Sequence, residues 1–321
     1  MQKDRRLTPK MKQMILTLGI IFLLIPLTIF IGIRYFGDRA YLFISVLILF
    51  YTFVPFIVSF EGRRPQAREV MMLAVMAAIA VVGNLGFFWA GPFQAGTALV
   101  IIAGICLGPT EGFLTGAMAR LVINMFAGQG PWTPWQMACW GLLGFLGGIC
   151  FNKDKEYIRK DTRFKIVTGP LVGVIISEAV GFVIATVTKS QYGGWWLYAF
   201  GAIGLLIGLI IQRNRLPADR ITLAIFGFLT TFIIYGGIMN IAAMVMSAAV
   251  PGSEVGINWT SLKVLYISGV PYDGVHALAS AVFCALLGPP MIEKVERVKI
   301  KYGLYQVNGP TLESEVKEKK R

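Results

Sequence analysis

Residues 108–148 read GPTEGFLTGAMARLVINMFAGQGPWTPWQMACWGLLGFLGG, and their pattern decides the fold. Two apolar arms meet at a short connector crowded with glycine, proline and tryptophan. In the first arm Gly112, Gly116 and Ala119 recur at helical spacing, the small-residue pattern that lets membrane helices approach backbone to backbone. Gly141, Gly144, Gly147 and Gly148 repeat it in the second arm. Between them Gln129-Gly130-Pro131-Trp132-Thr133-Pro134-Trp135-Gln136 cannot continue a helix, because both prolines lack an N–H and fix φ while Gly130 loosens the chain. The stretch predicts a helical hairpin with a stiff tip carrying two indoles and two amides.

The rest of the chain has the composition this hairpin needs. Hydrophobic residues make up 56%, charged residues only 15%, and the mean hydropathy is +0.67 over 321 residues. A soluble domain would carry about a quarter charged residues. Hydrocarbon offers no partners to backbone amides, so apolar runs of about twenty residues without strict alternation are read as helices. The expectation is an all-α polytopic membrane protein.

The net charge of +13 raises the question of nucleic acid, and placement answers it. Apart from Arg34, Arg39, Arg120, Lys189 and Lys263, the 30 Lys and Arg fall in residues 1–13, 61–68, 152–165, 212–220 and beyond 292. That bias matches the positive-inside rule, and no aromatic-basic surface motif accompanies it. No nucleic-acid partner is expected. The N-terminal apolar run is long for a signal sequence and has no small-residue cleavage site after it, so it is read as a retained helix. Cys106, Cys139, Cys150 and Cys284 lie in apolar spans without C-x-x-C pairing and read as packing residues.

In chain order, a basic tail (1–13) precedes an N-terminal transmembrane hairpin (14–60), and the charged, proline-bearing segment 61–68 separates it from a membrane core (69–292). A charged tail (293–321) closes the chain. The count is about ten spans, two plus eight, in the plasma membrane with both termini cytoplasmic. The largest outer loop is expected at 251–272, and the last helix from about Pro271 to Ile292.

Ionisable residues inside a membrane are costly and mark candidate sites. Arg120 and Glu178 sit near the middles of their helices, either pairing with each other across an interface or facing a ligand. Asp273 and His276 share a helix face at i and i+3, where capping, ligand contact and general-base chemistry are all open. One histidine without an acidic cluster cannot fill a metal shell, and no cofactor is expected. No G-x-x-x-x-G-K-[ST] occurs, so ATP-driven work would need another chain. Trp132 and Trp135, alternating with Gln129, Thr133 and Gln136, offer flat apolar faces with a few polar handles, the mixture a small-molecule site uses. Trp195 and Trp196 read as an interfacial belt.

Three stretches carry a family resemblance. Arg68-Glu69-Val70 precedes an alanine face with Ala74, Ala77 and Ala78; Ala98 to Gly104 runs on through Gly108-Pro109, Gly112 and Gly116; and GQGPWTPWQM at 128–137 is joined by the distant Tyr272-Asp273 with His276. Residues 69 to about 300 thereby resemble the substrate-binding S components of energy-coupling factor (ECF) vitamin transporters, including a subgroup proposed for cobalamin. Family members usually have six helices, fewer than the eight counted in this core. The resemblance implies a non-enzymatic subunit of an ABC importer that captures a vitamin outside the cell. Its partners would be a transmembrane coupling subunit and two ATPases. It implies substrate contacts at Phe93, Gln94, Gln129, Trp132, Trp135, Gln136, Tyr272, Asp273 and His276, and docking of the coupling subunit at Ala74, Ala77 and Ala78. Two alternatives are an independent secondary transporter and a membrane enzyme using Asp273 and His276.

Overall fold

The structure, a computed structural model, describes residues 9–36, 41–58, 67–151, 168–190, 192–212, 216–248, 250 and 252–302. The expected turn at 37–39, the charged segments 61–66 and 152–165 and the tail from 303 onward lie outside these residues. Described residues form helices and connecting turns, with one isolated bridge between Phe151 and Leu216.

In order the helices are α1 (Pro9–Gly19), continued through a π-helical turn (Ile20–Leu24) into α2 (Ile25–Phe36), then α3 (Tyr41–Val58), α4 (Ala67–Leu85), α5 (Gly96–Leu107), α6 (Pro109–Ala127) and α7 (Thr133–Cys150). They are followed by α8 (Thr168–Val187), α9 (Trp195–Ile211), α10 (Arg220–Leu229), a second π-helical segment (Thr230–Gly236) leading into α11 (Gly237–Ala248), and α12 (Trp259–Lys301). Among the described residues, five segments are long and apolar enough to cross a membrane: Ile15–Gly32, Ala67–Leu85, Gly169–Val187, Arg220–Ala248 and Trp259–Lys301. The protein is a multi-pass all-α membrane protein.

α5 is the centre. Every residue from Gly96 to Cys106 is buried, enclosed by α4, α6, α7 and α12. A helix apolar on all sides belongs in an interior. At 1.5 Å per residue its twelve residues reach about 18 Å, short of a hydrocarbon core of about 30 Å, so α5 does not span by itself as the sequence count assumed. Gly108 turns the chain directly into α6 with φ 128°, a backbone region that disfavours side chains, and Pro109 takes the first helical position.

The glycines of the quoted stretch serve contact. A Cβ added at Gly112 would lie 2.5 Å from the Gly104 Cα and 2.6 Å from the Gly144 carbonyl oxygen, so α5, α6 and α7 meet through bare backbone. The α8–α9 pair repeats the device, a Cβ on Gly173 falling 3.0 Å from the Gly208 Cα. The N-terminal hairpin closes the outer side of α6 and α7. Ile20, Ile25, Ile29, Ile44 and Ile48 form one cluster with Phe113, Leu121, Met137 and Phe145, and the Thr17 and Thr110 hydroxyls share a hydrogen bond at 3.1 Å.

The last helix differs from expectation. It begins at Trp259, inside the predicted outer loop 251–272, and runs past 292 to Lys301. Asn258 caps it, its side chain accepting from the Ser261 N–H at 2.8 Å. Pro271, Pro289 and Pro290 lie within it, as membrane helices tolerate where neighbours satisfy the freed carbonyls. Tyr272 and Asp273 are therefore mid-helix residues, and Asp273 caps nothing. Near the other end of α12, Lys299 donates to the Cys106 carbonyl at the close of α5 and to Glu296 at 2.9 Å, while Arg68 donates to the Tyr302 carbonyl.

Candidate functional site

Away from the Lys299 end of the bundle, polar side chains from α4, α5, α6, α7, the second π segment and α12 converge in an apolar body. The loop before α7 builds the first part. Thr133 donates to Gln129 Oε1 at 2.9 Å and accepts from the Gly130 N–H at 3.2 Å, and Gln129 Nε2 donates to the Leu121 carbonyl at 3.3 Å. The turn is thus fastened by its own amides, and the Trp132 ring folds back over Gly130. Asn124, 1% exposed, donates to Gln136 Oε1 at 2.9 Å and to Thr133 Oγ1 at 3.1 Å.

Arg120 is the charged member. Its Nε donates to Gln136 Oε1 at 2.8 Å, and its guanidinium carbon stands 5.2 Å from the centre of the Trp140 ring, a cation–π distance. Gln136 and Trp140 are one turn apart on α7, so one face of that helix supplies both contacts. Trp140 is 1% exposed and its Nε1–H has no hydrogen-bond partner among the described residues. The Trp140 ring edge reaches Gly96, where an added Cβ would lie 2.5 Å from it, one residue before Thr97.

His276 enters from α12, sharing a 2.8 Å hydrogen bond with Thr97 at the start of α5, and the Tyr235 ring meets it edge-on at 4.6 Å. Tyr235 belongs to the π-helical segment, where an extra residue per turn re-aims side chains; such insertions are frequent at functional sites. On the α4 side, buried Asn84 donates to Gln94 Oε1 at 2.5 Å. Phe93 packs on Phe283 at 5.6 Å, beside Phe87 at 4.9 Å.

The residues expected in one site therefore divide. Gln136 joins Arg120 directly, His276 meets Thr97 beside the Trp140 ring, Gln129 braces the turn, and Phe93 and Gln94 line the α4–α5 approach. Trp135 points the other way, into the cluster shared with the N-terminal hairpin. Asp273 also departs from its neighbour His276. It accepts from the Tyr198 hydroxyl at 2.5 Å and from Asn240 Nδ2 at 2.7 Å, on the α9–α11 side. Gly236 makes room, since a Cβ there would lie 2.8 Å from the carboxylate. Asp273 and His276 thus serve separate networks rather than forming an acid–base dyad. The expected alternative of an Arg120–Glu178 pair is corrected too: Glu178 is bound by the Tyr192 hydroxyl, and Arg120 by Gln136. Ala74 and Ala78 are exposed on α4 while Ala77 turns inward.

Trp140, Asn124, Thr97 and Tyr235 were not singled out from sequence. Single polar or aromatic residues in apolar helices carry no local signal of which neighbour they will face. No group of three or more His, Cys, Asp and Glu converges among the described residues.

Comparison with known proteins identifies relatives of the chain. A UPF0397 protein of Aliivibrio salmonicida is 31% identical over 136 residues, covering 39% of this chain and 74% of that protein. UPF0397 proteins of Vibrio atlanticus and Aliivibrio fischeri are 31% identical over 89 residues, so this chain spans about half of their length (48%). No solved structure matches the chain. The family model described as "ECF transporter, substrate-specific component" matches residues 68–250, from the start of α4 to the end of α11 and short of Tyr272, Asp273 and His276. The chain belongs to the substrate-specific component family of ECF transporters.

Proposed function

We propose that this chain captures a vitamin outside the cell, cobalamin or a related ring compound, and delivers it together with a separate coupling subunit and two ATPases. The observation that carries this reading is the convergence of Arg120, Gln136, Trp140, Tyr235 and His276 within an otherwise apolar bundle. Buried polar clusters are expensive in a membrane protein and mark substrate pathways. The turn at 128–132, with the first turn of α7, forms the cap over that cluster, on the outer side. Lys294 and Lys299 then mark the cytoplasmic end, with both termini there and about ten spans, the short α5 being wrapped by its neighbours.

The coupling subunit docks on α4. Ala74 and Ala78 are exposed there, and beside them a groove of about 380 Å³ runs between α4 and the end of α12, lined by Met71, Val75, Ile79, Met291, Val295 and Val298. Small residues flanked by a groove admit close helix contact. The enzyme reading loses ground because Asp273 and His276 have different partners.

Native mass spectrometry of the purified chain tests the capture reading directly. A tightly held ring compound that exchanges with added vitamin is the expected result. Proton- or sodium-driven uptake by this chain alone in liposomes would replace it with the secondary-carrier reading.

A further inference from the structure

Among the described residues, the part-buried Arg120 makes one hydrogen bond, from Nε to Gln136 Oε1. Its terminal nitrogens, the fork that grips oxyanions bidentately, have no hydrogen-bond partner among the described residues. Neither acid that the sequence put within a membrane helix compensates it: Asp273 is taken by Tyr198 and Asn240, and Glu178 by Tyr192. A second, independent observation lies beside it. The Trp140 indole, 1% exposed and carrying the guanidinium on its face, has an N–H with no acceptor among the described residues. Buried donors without acceptors and a buried charge without a counter-ion are each unfavourable. Because the guanidinium stacks on that indole, one acceptor at their shared edge would satisfy both. Gln136 Oε1 already serves both Arg120 and Asn124, so it is no further acceptor for these donors.

We infer that Arg120 and the Trp140 N–H receive an oxyanion, a carboxylate or phosphate group carried by the transported solute. This deepens the proposed capture function and rests on it. Arg120 is the counter-ion that lets a charged nutrient enter an apolar bundle. Trp140 adds one directed hydrogen bond and stacks under the fork, and Gln136 fixes the guanidinium plane.

The test uses the full chain in phosphatidylcholine nanodiscs, with thermal unfolding followed in benzoate or inorganic phosphate. Benzamide, an uncharged isostere, and chloride are the controls. Benzoate or phosphate should raise Tm where benzamide and chloride do not. Arg120→Gln should weaken that binding about tenfold or more, the loss expected for a charge-assisted hydrogen bond, and Arg120→Lys should keep part of it. Trp140→Phe, which preserves the ring, should weaken it less. Equal shifts from benzoate and benzamide, an undiminished shift in Arg120→Gln, or no shift from either anion would overturn the assignment. If phosphatidylglycerol in the nanodisc abolishes the benzoate increment by raising Tm itself, the oxyanion is a lipid headgroup and the solute assignment fails. Should Arg120→Gln not fold, the wild-type comparison of benzoate with benzamide still decides. Co-purification of a coupling subunit is read separately, so a neutral vitamin delivered by an intact complex would sink the oxyanion while leaving the capture function standing.

Discussion

Asp273 illustrates how a single side chain is assigned by its partners rather than by its position in the chain. Its carboxylate holds α12 to α9 and α11 through Tyr198 and Asn240, and Tyr266 adds a 2.7 Å bond to the Gly237 carbonyl nearby. Hydrogen bonds between membrane helices are individually modest, but a buried carboxylate that loses a donor is left undersolvated. Tyr198→Phe is expected to destabilise the protein by about 1–2 kcal/mol in reversible unfolding from mixed micelles, while retention of bound ligand changes little. Gln136→Leu should do the reverse. It removes the acceptor shared by Arg120 and Asn124, freeing the guanidinium from its plane. Ligand affinity measured by isothermal titration should fall about tenfold or more, as expected when a charged group loses its positioning partner. Unchanged affinity would remove Gln136 from the site.

At the scale of elements, the molecule depends on glycine contacts that bring helices to backbone distance. Gly112→Ala places a methyl against Gly104 and Gly144, which must push α6 away from α5 and α7. Overpacking of this kind costs about 1–3 kcal/mol, read as a lowered midpoint in the same unfolding assay. Gly274→Ala is the matched control: nothing lies within 4 Å of an added Cβ, and the better helix former should leave stability unchanged or raise it by up to about 1 kcal/mol. If both variants behave alike, close packing is not what Gly112 provides. The π-helical turn at Thr230–Gly236 matters for another reason. It sets Tyr235 against His276 and, one residue on, opens Gly236 to Asp273, so a single irregularity feeds both polar networks.

For the whole molecule, two faces of the core are covered differently. The hairpin of α1–α3 covers one side of α6 and α7, and α4 leaves its alanines and groove uncovered on another. Ala74→Trp or Ala78→Trp should abolish uptake by the assembled transporter while leaving ligand binding by the isolated chain intact. Transport at the normal rate in either variant would rule out the docking surface proposed on α4. Ala77→Trp is expected instead to damage folding, because that side chain points into the core.

How much of this was legible beforehand follows from where the information sits. The helical class and the two helical arms of residues 108–148 were readable in the sequence, because apolar run length, proline and glycine act on the chain locally, although α7 begins at Thr133, inside the stretch 129–136 expected to break the helix. The extent of α12 was not, since a proline-bearing segment reads as a boundary until neighbouring helices are present to satisfy its backbone. Nor were the partners of the membrane charges: Arg120 meets Gln136 and Trp140, and Asp273 parts from His276, because a side chain's environment depends on helix rotation and packing that spacing along one helix does not specify. By itself, the sequence determined that this chain lives in a membrane as packed helices with a few costly polar residues. Only the tertiary structure decided which of those residues face one another, since burial in a common interior is a property of the assembled bundle and not of any one helix.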